Sequence, residues 1–235
     1  MTTTMPISET FLSIQGEGKL TGVPSFFIRV SGCNLRCSWC DTPYASWAPE
    51  QTARSIDSLL DEVRASGAAH VVLTGGEPLI FSQSVELNQR LREAGLHVTI
   101  ETAGTVAPDI VCDLMSISPK LANSTPRNDP RDPSGQWTER HEQRRLNFDA
   151  LRTLLRAGLD CQLKFVVCTP DDLTEIERVV NQIAGVAPGD VLLMPEGVKP
   201  KTPGQTQWIV DACIQRNWRY CPRVHIDVFG NRRGT

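Results

Sequence analysis

Three cysteines, Cys33, Cys37 and Cys40, stand on one short stretch with the spacing C-x3-C-x2-C. Thiolates this close in the chain can converge on one metal centre, and three is an informative number. A closed structural zinc site takes four ligands, and no histidine or further cysteine stands close enough to complete a second pair. Iron–sulfur clusters are ordinarily held by four thiolates, so a cubane gripped by three leaves one iron open to a small molecule. Two plainer readings stay open: a zinc ion closed by a distant residue such as Cys112 or His70, and three unligated thiols. Cys112, Cys161, Cys168, Cys213 and Cys221 read as small buried hydrophobes.

Other unusual stretches follow directly on apolar runs: Thr74-Gly75-Gly76-Glu77-Pro78, Glu101-Thr102-Ala103-Gly104, Ser118-Pro119-Lys120 and Pro195-Glu196-Gly197. Any one of them passes as ordinary turn chemistry. Together they mark strand ends, which open on one face in a parallel barrel or partial barrel. Glu101, Lys164, Glu196 and His225 are further candidates for that face, although a single histidine near the end of a chain is usually structural. Arg29 interrupts an apolar strand with Ile28 and Val30 on the opposite face, which suits either an exposed charge or a guanidinium in the mouth.

The elements that must position these residues show in the periodicity. Strands are expected over 25–30, 70–73, 97–100, 114–117, 162–167 and 191–194. Between them, Ile56, Leu59, Leu60 and Val63 repeat at helical spacing up to Gly67. A second helix over 84–94 stops at Gly95, and Phe148, Leu151, Leu154 and Leu155 mark a third ended by Gly158. Leu173, Ile176, Val179, Val180 and Ile183 follow Asp171 and Asp172, and Trp208, Ile209, Ala212 and Cys213 form the last helix. Such alternation predicts βα units and a parallel sheet. The segment 121–136, rich in Pro, Asn, Asp and Arg, reads as an exposed loop. The alternating segment 223–229 reads as an edge strand.

Composition narrows the class of function. The 235 residues carry 24 Lys and Arg against 27 Asp and Glu, a net charge of -3, so no broad basic surface awaits nucleic acid. Arg140, Arg144 and Arg145 leave room for a local basic patch. No apolar run approaches the ~18 residues of a membrane span, and the polar start over 1–6 lacks the form of a secretory signal. The expected location is cytoplasmic, where reduced thiols need a reason other than disulfides.

The cysteine triplet after the first strand and Gly75-Gly76-Glu77-Pro78 after the second resemble the radical S-adenosylmethionine superfamily. That resemblance implies a 4Fe–4S cluster on Cys33, Cys37 and Cys40, with S-adenosyl-L-methionine on the open iron. Within the superfamily, FLSIQGEG over 11–18, Thr21-Gly22-Val23-Pro24, Phe27-Ile28-Arg29 and Cys40-Asp41-Thr42 resemble the 7-carboxy-7-deazaguanine synthase family. The later turns match it too, so the likeness covers nearly the whole chain. It implies a partial (β/α)6-type parallel barrel with fewer packed helices than the full form, and one domain over 1–235. It also implies a carbon–nitrogen lyase of queuosine and 7-deazapurine biosynthesis. That lyase contracts 6-carboxy-5,6,7,8-tetrahydropterin to 7-carboxy-7-deazaguanine with loss of ammonia.

The same resemblance assigns roles by residue. Trp39, Cys40, Asp41, Gly76, Glu77, Gly104, Ser118, Pro119 and Lys120 would meet the cofactor. Ile14, Gln15, Gly16, Arg29, Thr74 and Thr235 would meet the substrate, with Glu17 nearby, and Thr42 would hold Mg2+. Expected partners are a flavodoxin or ferredoxin electron donor and a second copy in a homodimer, with no nucleic acid or membrane. Two alternatives remain, a glycyl-radical-enzyme activase and a zinc-stabilised nucleic-acid-binding module; IQGEG and Cys40-Asp41-Thr42 argue against the activase. The 121–145 insertion, with Trp137 and His141, departs from the family as a lid or partner surface, and the ending over 229–235 leaves the part of Thr235 in doubt.

Overall fold

Side chains alternate across a strand, and in this chain the alternation separates a helix-covered face from a chemical one. In the computed structural model, which describes residues 3–235, six parallel strands lie side by side in chain order. With two antiparallel strands preceding the second of them, they are β1 (Thr4–Ile14), β2 (Pro24–Val30), β3 (Thr52–Ser55), β4 (His70–Gly75), β5 (His97–Thr102), β6 (Cys112–Ile117), β7 (Gly158–Val167) and β8 (Val191–Pro195). The parallel run is β2, β4, β5, β6, β7 and β8, an open (β/α)6 arrangement. A two-residue strand, β9 (Arg219–Tyr220), adds to its far edge.

Phe26, Ile28 and Val30 of β2, Val71 and Leu73 of β4, Val98 and Ile100 of β5, and Leu163, Phe165 and Val167 of β7 are buried in the principal core. They pack against α1 (Ile56–Ser66), α2 (Gln83–Glu93), α4 (Phe148–Leu154), α5 (Asp172–Ile183) and α6 (Gln207–Arg216), with α3 (Gln136–Arg144) inside the 121–145 segment. Each fully buried aliphatic or aromatic side chain of this kind contributes about 1.5–3 kcal/mol. No helix lies between β5 and β6, so the barrel carries fewer helices than a full form. Helix ends follow local chemistry. The Ser55 hydroxyl accepts from the Ser58 N–H at 3.1 Å to start α1, and Gly67 at φ 70° ends it.

Three expectations need correction. The segment 223–229 is a helix, α7 (Val224–Phe229). β9 already occupies the edge beside β8, and Pro222 has no N–H with which to continue a ladder. The segment 121–136 is exposed over much of its length, but Ser124, Thr125, Asp129 and Asp132 within it are buried. Their polar groups are satisfied within the segment and by α3, as when Asp132 accepts from the Trp137 N–H at 2.7 Å. Among the cysteines, Cys168 is exposed and Cys161 half-buried, so only Cys112, Cys213 and Cys221 fit the buried reading.

β1 and β3 fall outside the expected strands. β1 pairs antiparallel with both β2 and β3, and its register shifts between Ile7 and Glu9. Ile7 pairs with core-facing Val30 and Glu9 with cavity-facing Arg29, so the bulge turns the strand from one face of the sheet to the other. Met1 and Thr2, part of the stretch read as polar, lie outside the described residues. No helix among the described residues is long and apolar enough to cross a membrane.

Candidate active site

The strand ends and the loops that follow them enclose a cavity of about 640 Å³, within the range of small-molecule sites. Its wall combines two chemistries. Cys33, Cys37 and Cys40 border it with Trp39, Ser118 and Lys120, while Glu17, Arg29, Glu101, Lys164, Arg223 and His225 form a charged group beside them.

The cysteine loop owes its position to the Gly75-Gly76-Glu77 turn. Gly76 donates to the Val30 carbonyl at 3.1 Å and Glu77 to the Gly32 carbonyl at 2.9 Å, so the end of β4 is laced to the loop backbone. A Cβ on Gly76 would stand 2.1 Å from the Gly32 oxygen and 2.6 Å from that of Ala45. Only glycine fits there. The Glu77 carboxylate is fully buried and accepts from the Leu79 N–H at 3.1 Å, the Thr102 hydroxyl at 2.7 Å and the Ala103 N–H at 2.7 Å. It ties the turn to the end of β5 and does not line the cavity. Gly104 and Pro119 do not line it either. Gly104 is set against Leu151 and Ile117 with φ 72°, which makes it a packing and turn position. Of the residues expected at the cofactor, these three thus lie behind the cavity wall.

Trp39, Cys40, Asp41, Thr42, Gly76, Ser118 and Lys120 all border the cavity, as do Ile14, Gln15, Gly16, Arg29, Thr74 and Thr235. Lys120 donates to the Ser118 hydroxyl at 2.8 Å and lies 5.7 Å from the centre of the Trp39 ring. Thr42 Oγ1 lies 3.7 Å from Cys40 Sγ. Of the four weaker candidates, Glu101, Lys164 and His225 reach the cavity and Glu196 does not.

The charged group is dense. Lys164 pairs with Glu17 and lies 3.6 Å from Glu101. Arg223 donates to Glu17 at 3.0 Å and pairs with Asp41. Burial alone would raise the Glu17 carboxyl, yet Lys164 and Arg223 beside it hold its pKa well below the usual range. Burial likewise opposes the Lys164 charge, and Glu101 with Glu17 outweighs it, so that pKa stands above its ordinary value. His225 is lowered by burial. Gln15 donates to Glu101 at 3.1 Å and Thr74 to its other oxygen at 3.3 Å. Arg29 gives only Nε, to Glu9 at 2.7 Å, and among the described residues its two terminal nitrogens stay free of acids.

Sequence reasoning missed Glu9, Tyr44, Arg223 and Arg233 at this site. Tyr44 and Arg233 both bond Glu9, at 2.8 and 3.1 Å. Glu9 sits beyond a bulge that hides its face, whereas Lys164 carries the same signal as Arg29, a charge between apolar strand neighbours.

A resident cluster fits the thiols. Among the described residues no three His, Cys, Asp or Glu side chains form a ligand set for one metal ion. Cys33, Cys37 and Cys40 all border the one cavity, which suits a polynuclear group holding one thiolate per iron. Burial, with the Glu77 charge, pushes Cys33 up to about 12 and burial raises Cys37, and a bound cation would offset this by favouring the thiolates. His70 and Cys112 begin β4 and β6, at the sheet ends away from the cysteine loop, and neither can close a zinc site there.

The Radical SAM superfamily model matches residues 27–183. A 7-carboxy-7-deazaguanine synthase of Rhodopirellula baltica is 52% identical over 97% of this chain and 88% of its own. One of Halobacterium salinarum is 43% identical over 98% and 93%. The chain belongs to the 7-carboxy-7-deazaguanine synthase family of the radical SAM superfamily. The crystal structure of QueE from Escherichia coli superposes with a TM-score of 0.72 at 27% identity, covering 94% of this chain and 95% of that one. The open barrel is thus shared with a solved structure. As a member of this synthase family the chain leaves the activase and zinc-module readings behind.

Proposed function

We propose that the chain contracts 6-carboxy-5,6,7,8-tetrahydropterin to 7-carboxy-7-deazaguanine and releases ammonia. One observation carries this reading: a single cavity brings the cysteine triplet together with a buried group of paired charges suited to a polar heterocycle bearing a carboxylate. Loss of ammonia balances the atoms, so the overall change consumes no oxidant. With S-adenosylmethionine bound, the cluster on Cys33, Cys37 and Cys40 supplies one-electron chemistry that abstracts and returns a hydrogen.

The residues of the chain bind and orient. The free fork of Arg29 takes the substrate carboxylate, while Glu9 fixes the guanidinium plane through Nε. Glu17, held ionised, accepts from ring N–H groups, and the Gln15 amide offers both a donor and an acceptor. Lys164 keeps Glu17 and Glu101 in place. Lys120 and Ser118 hold the cofactor carboxylate and ribose side, with Trp39 and Asp41 at its adenosine. Thr42 would offer a hydroxyl oxygen to Mg2+, while neighbouring Asp41 is engaged by Arg223. Residues 231–235 line the mouth, held by Arg233 on Glu9 and Glu50 at 3.1 and 2.7 Å, and restrict water.

A reduced flavodoxin or ferredoxin supplies the electron, and the reduced thiols of the cytoplasm preserve the loop. Anaerobic reconstitution tests the reading: about four irons and four sulfides should bind per chain. Incubation with the pterin, reductant, S-adenosylmethionine and Mg2+ should then yield the deazapurine, more slowly without Mg2+. A cluster that cleaves S-adenosylmethionine yet gives no deazapurine would overturn it. Light scattering of the same preparation tests the expected homodimer.

A further inference from the structure

The cysteine loop has an outer side that the cavity does not use, and cations cover it. Arg36 donates from Nη1 to the Cys33 and Leu35 carbonyls at 2.7 and 2.8 Å. Arg131 donates to the Ser38 carbonyl at 2.6 Å, and Trp47 donates from Nε1 to the Cys37 carbonyl at 3.0 Å. These groups stack: the Arg36 guanidinium lies 4.1 Å from the centre of the Trp137 ring, and that of Arg131 lies 4.1 Å from the Trp47 ring. Arg140 approaches the same Trp137 at 5.6 Å.

Charge is concentrated here. Arg127 and Arg145 share Glu142, Arg145 also takes Glu175, and Arg131 takes Asp129. Arg36, Arg140 and Arg144 are left without an acid among the described residues, and Arg140 and Arg144 are exposed. Asp132 is buried on the Trp137 N–H and Glu139 takes Gln143, so Arg36, Arg127, Arg131, Arg140, Arg144 and Arg145 leave a modest local excess of positive charge over the cysteine backbone in a chain of net charge -3.

The proposed reaction needs an electron from outside, and this inference rests on that reading. On this side exposed Arg131 bonds directly to the residue after Cys37, and Trp47 bonds to the Cys37 carbonyl, so a partner seated here is one side chain away from the cysteine backbone. We infer that the face built by Arg36, Arg131, Arg140 and Arg144 around Trp47 and Trp137 docks an acidic one-electron carrier protein. The 121–145 segment supplies most of that face. Opposite charge steers such a partner to this face, where the guanidinium groups are held in place by the indoles on which they stack. An extended polyanion such as RNA fits less well, since it needs cations along a track and meets an acidic chain beyond this patch.

The test uses the reconstituted holoenzyme and the double variant Arg140→Glu/Arg144→Glu, whose positions lie outside the cavity. The readout is the rate at which a purified reduced flavodoxin bleaches the cluster absorbance, which is independent of the substrate that enters. The donor concentration for half-maximal rate should rise about tenfold or more, and the fall of rate with added salt should flatten. Reduction by methyl viologen, a small cation that needs no docking face, should stay within about twofold of wild type. An unchanged flavodoxin dependence would overturn the inference, as would a parallel loss with viologen. Loss of transfer-RNA binding in the variant with unchanged flavodoxin kinetics would also overturn it and give the face to nucleic acid. Rapid reduction of the cluster by flavodoxin without deazapurine would sink the synthase reading and leave the docking face standing.

Discussion

Two regions hold the cysteine loop, the Gly75-Gly76-Glu77 turn from the β4 side and the 121–145 segment from outside. The turn works backbone to backbone, with Gly76 closer to Gly32 than any side chain allows and Glu77 locking the assembly to β5. The outer segment works through side chains, chiefly Arg131 on the Ser38 carbonyl and His141 on the Arg36 N–H. The first contact tolerates one residue type; the second can be made by any donor of suitable length. The turn is therefore the rigid half of the grip and the segment the adjustable half. That contrast suits the two roles proposed for the loop, a cofactor held on its inner side and a carrier protein met on its outer side.

The contrast is broken most directly at Gly76. Gly76→Ala drives a methyl group into two backbone oxygens that cannot rotate away, so the loop must move. We expect iron and sulfide per chain to fall by at least about half and product formation by about a hundredfold, since displacements near 1 Å carry that penalty. Wild-type iron content in this variant would show that the turn is not rigid. Glu77→Ala comes next. It strands the Leu79 and Ala103 N–H groups and the Thr102 hydroxyl in a buried site, at about 1–3 kcal/mol for each unsatisfied group. Urea unfolding should register the loss. A change under about 1 kcal/mol would mean that water enters and replaces the carboxylate.

Arg131→Ala probes the adjustable half. The variant loses one carbonyl bond and one cation–aromatic contact, and leaves Asp129 without the cation that lowers its pKa. About 1–2 kcal/mol of stability should go, with near wild-type activity when a viologen is the reductant. An effect equal to that of Glu77→Ala would erase the distinction between the two grips.

The same distinction explains what could be read from the chain. Arg29 between Ile28 and Val30, and Lys164 between Leu163 and Phe165, announce a buried charge on the concave face because strand periodicity is short and regular. Gly75-Gly76 is legible because close backbone approach excludes other residues. β1 hides because Pro6 and the bulge after Ile7 interrupt its alternation. α7 misleads because Val224, Ile226 and Val228 alternate, although only Ile226 is buried and Val228 is exposed. Ser124, Thr125 and Asp132 read as solvated because nothing in a polar residue type reveals that its partners will be supplied from within the fold.

His141 gives the smallest and cleanest test of the outer grip. It is fully buried; its Nδ1 accepts from the Arg36 N–H at 3.2 Å, so Nε2 carries the proton and donates to Ser124 Oγ at 2.9 Å. A second proton would set two N–H groups against each other, and burial holds the His141 pKa down to about 4 from 6.5. The unfolded chain takes up the proton near 6.5 and the folded chain only near 4, so stability falls as pH drops through that window. The slope is about 1.4 kcal/mol per unit at most, and above the window His141 adds no pH dependence. His141→Gln keeps one acceptor and one donor without titrating. Its urea-unfolding free energy should therefore lose this slope between about pH 6.5 and 4 while lying within about 1.5 kcal/mol of wild type near pH 7. His70 and His225 are also lowered by burial, and their common contribution cancels in the difference between the two proteins. Identical slopes would mean that His141 is open to solvent and that the arginines alone hold the outer side.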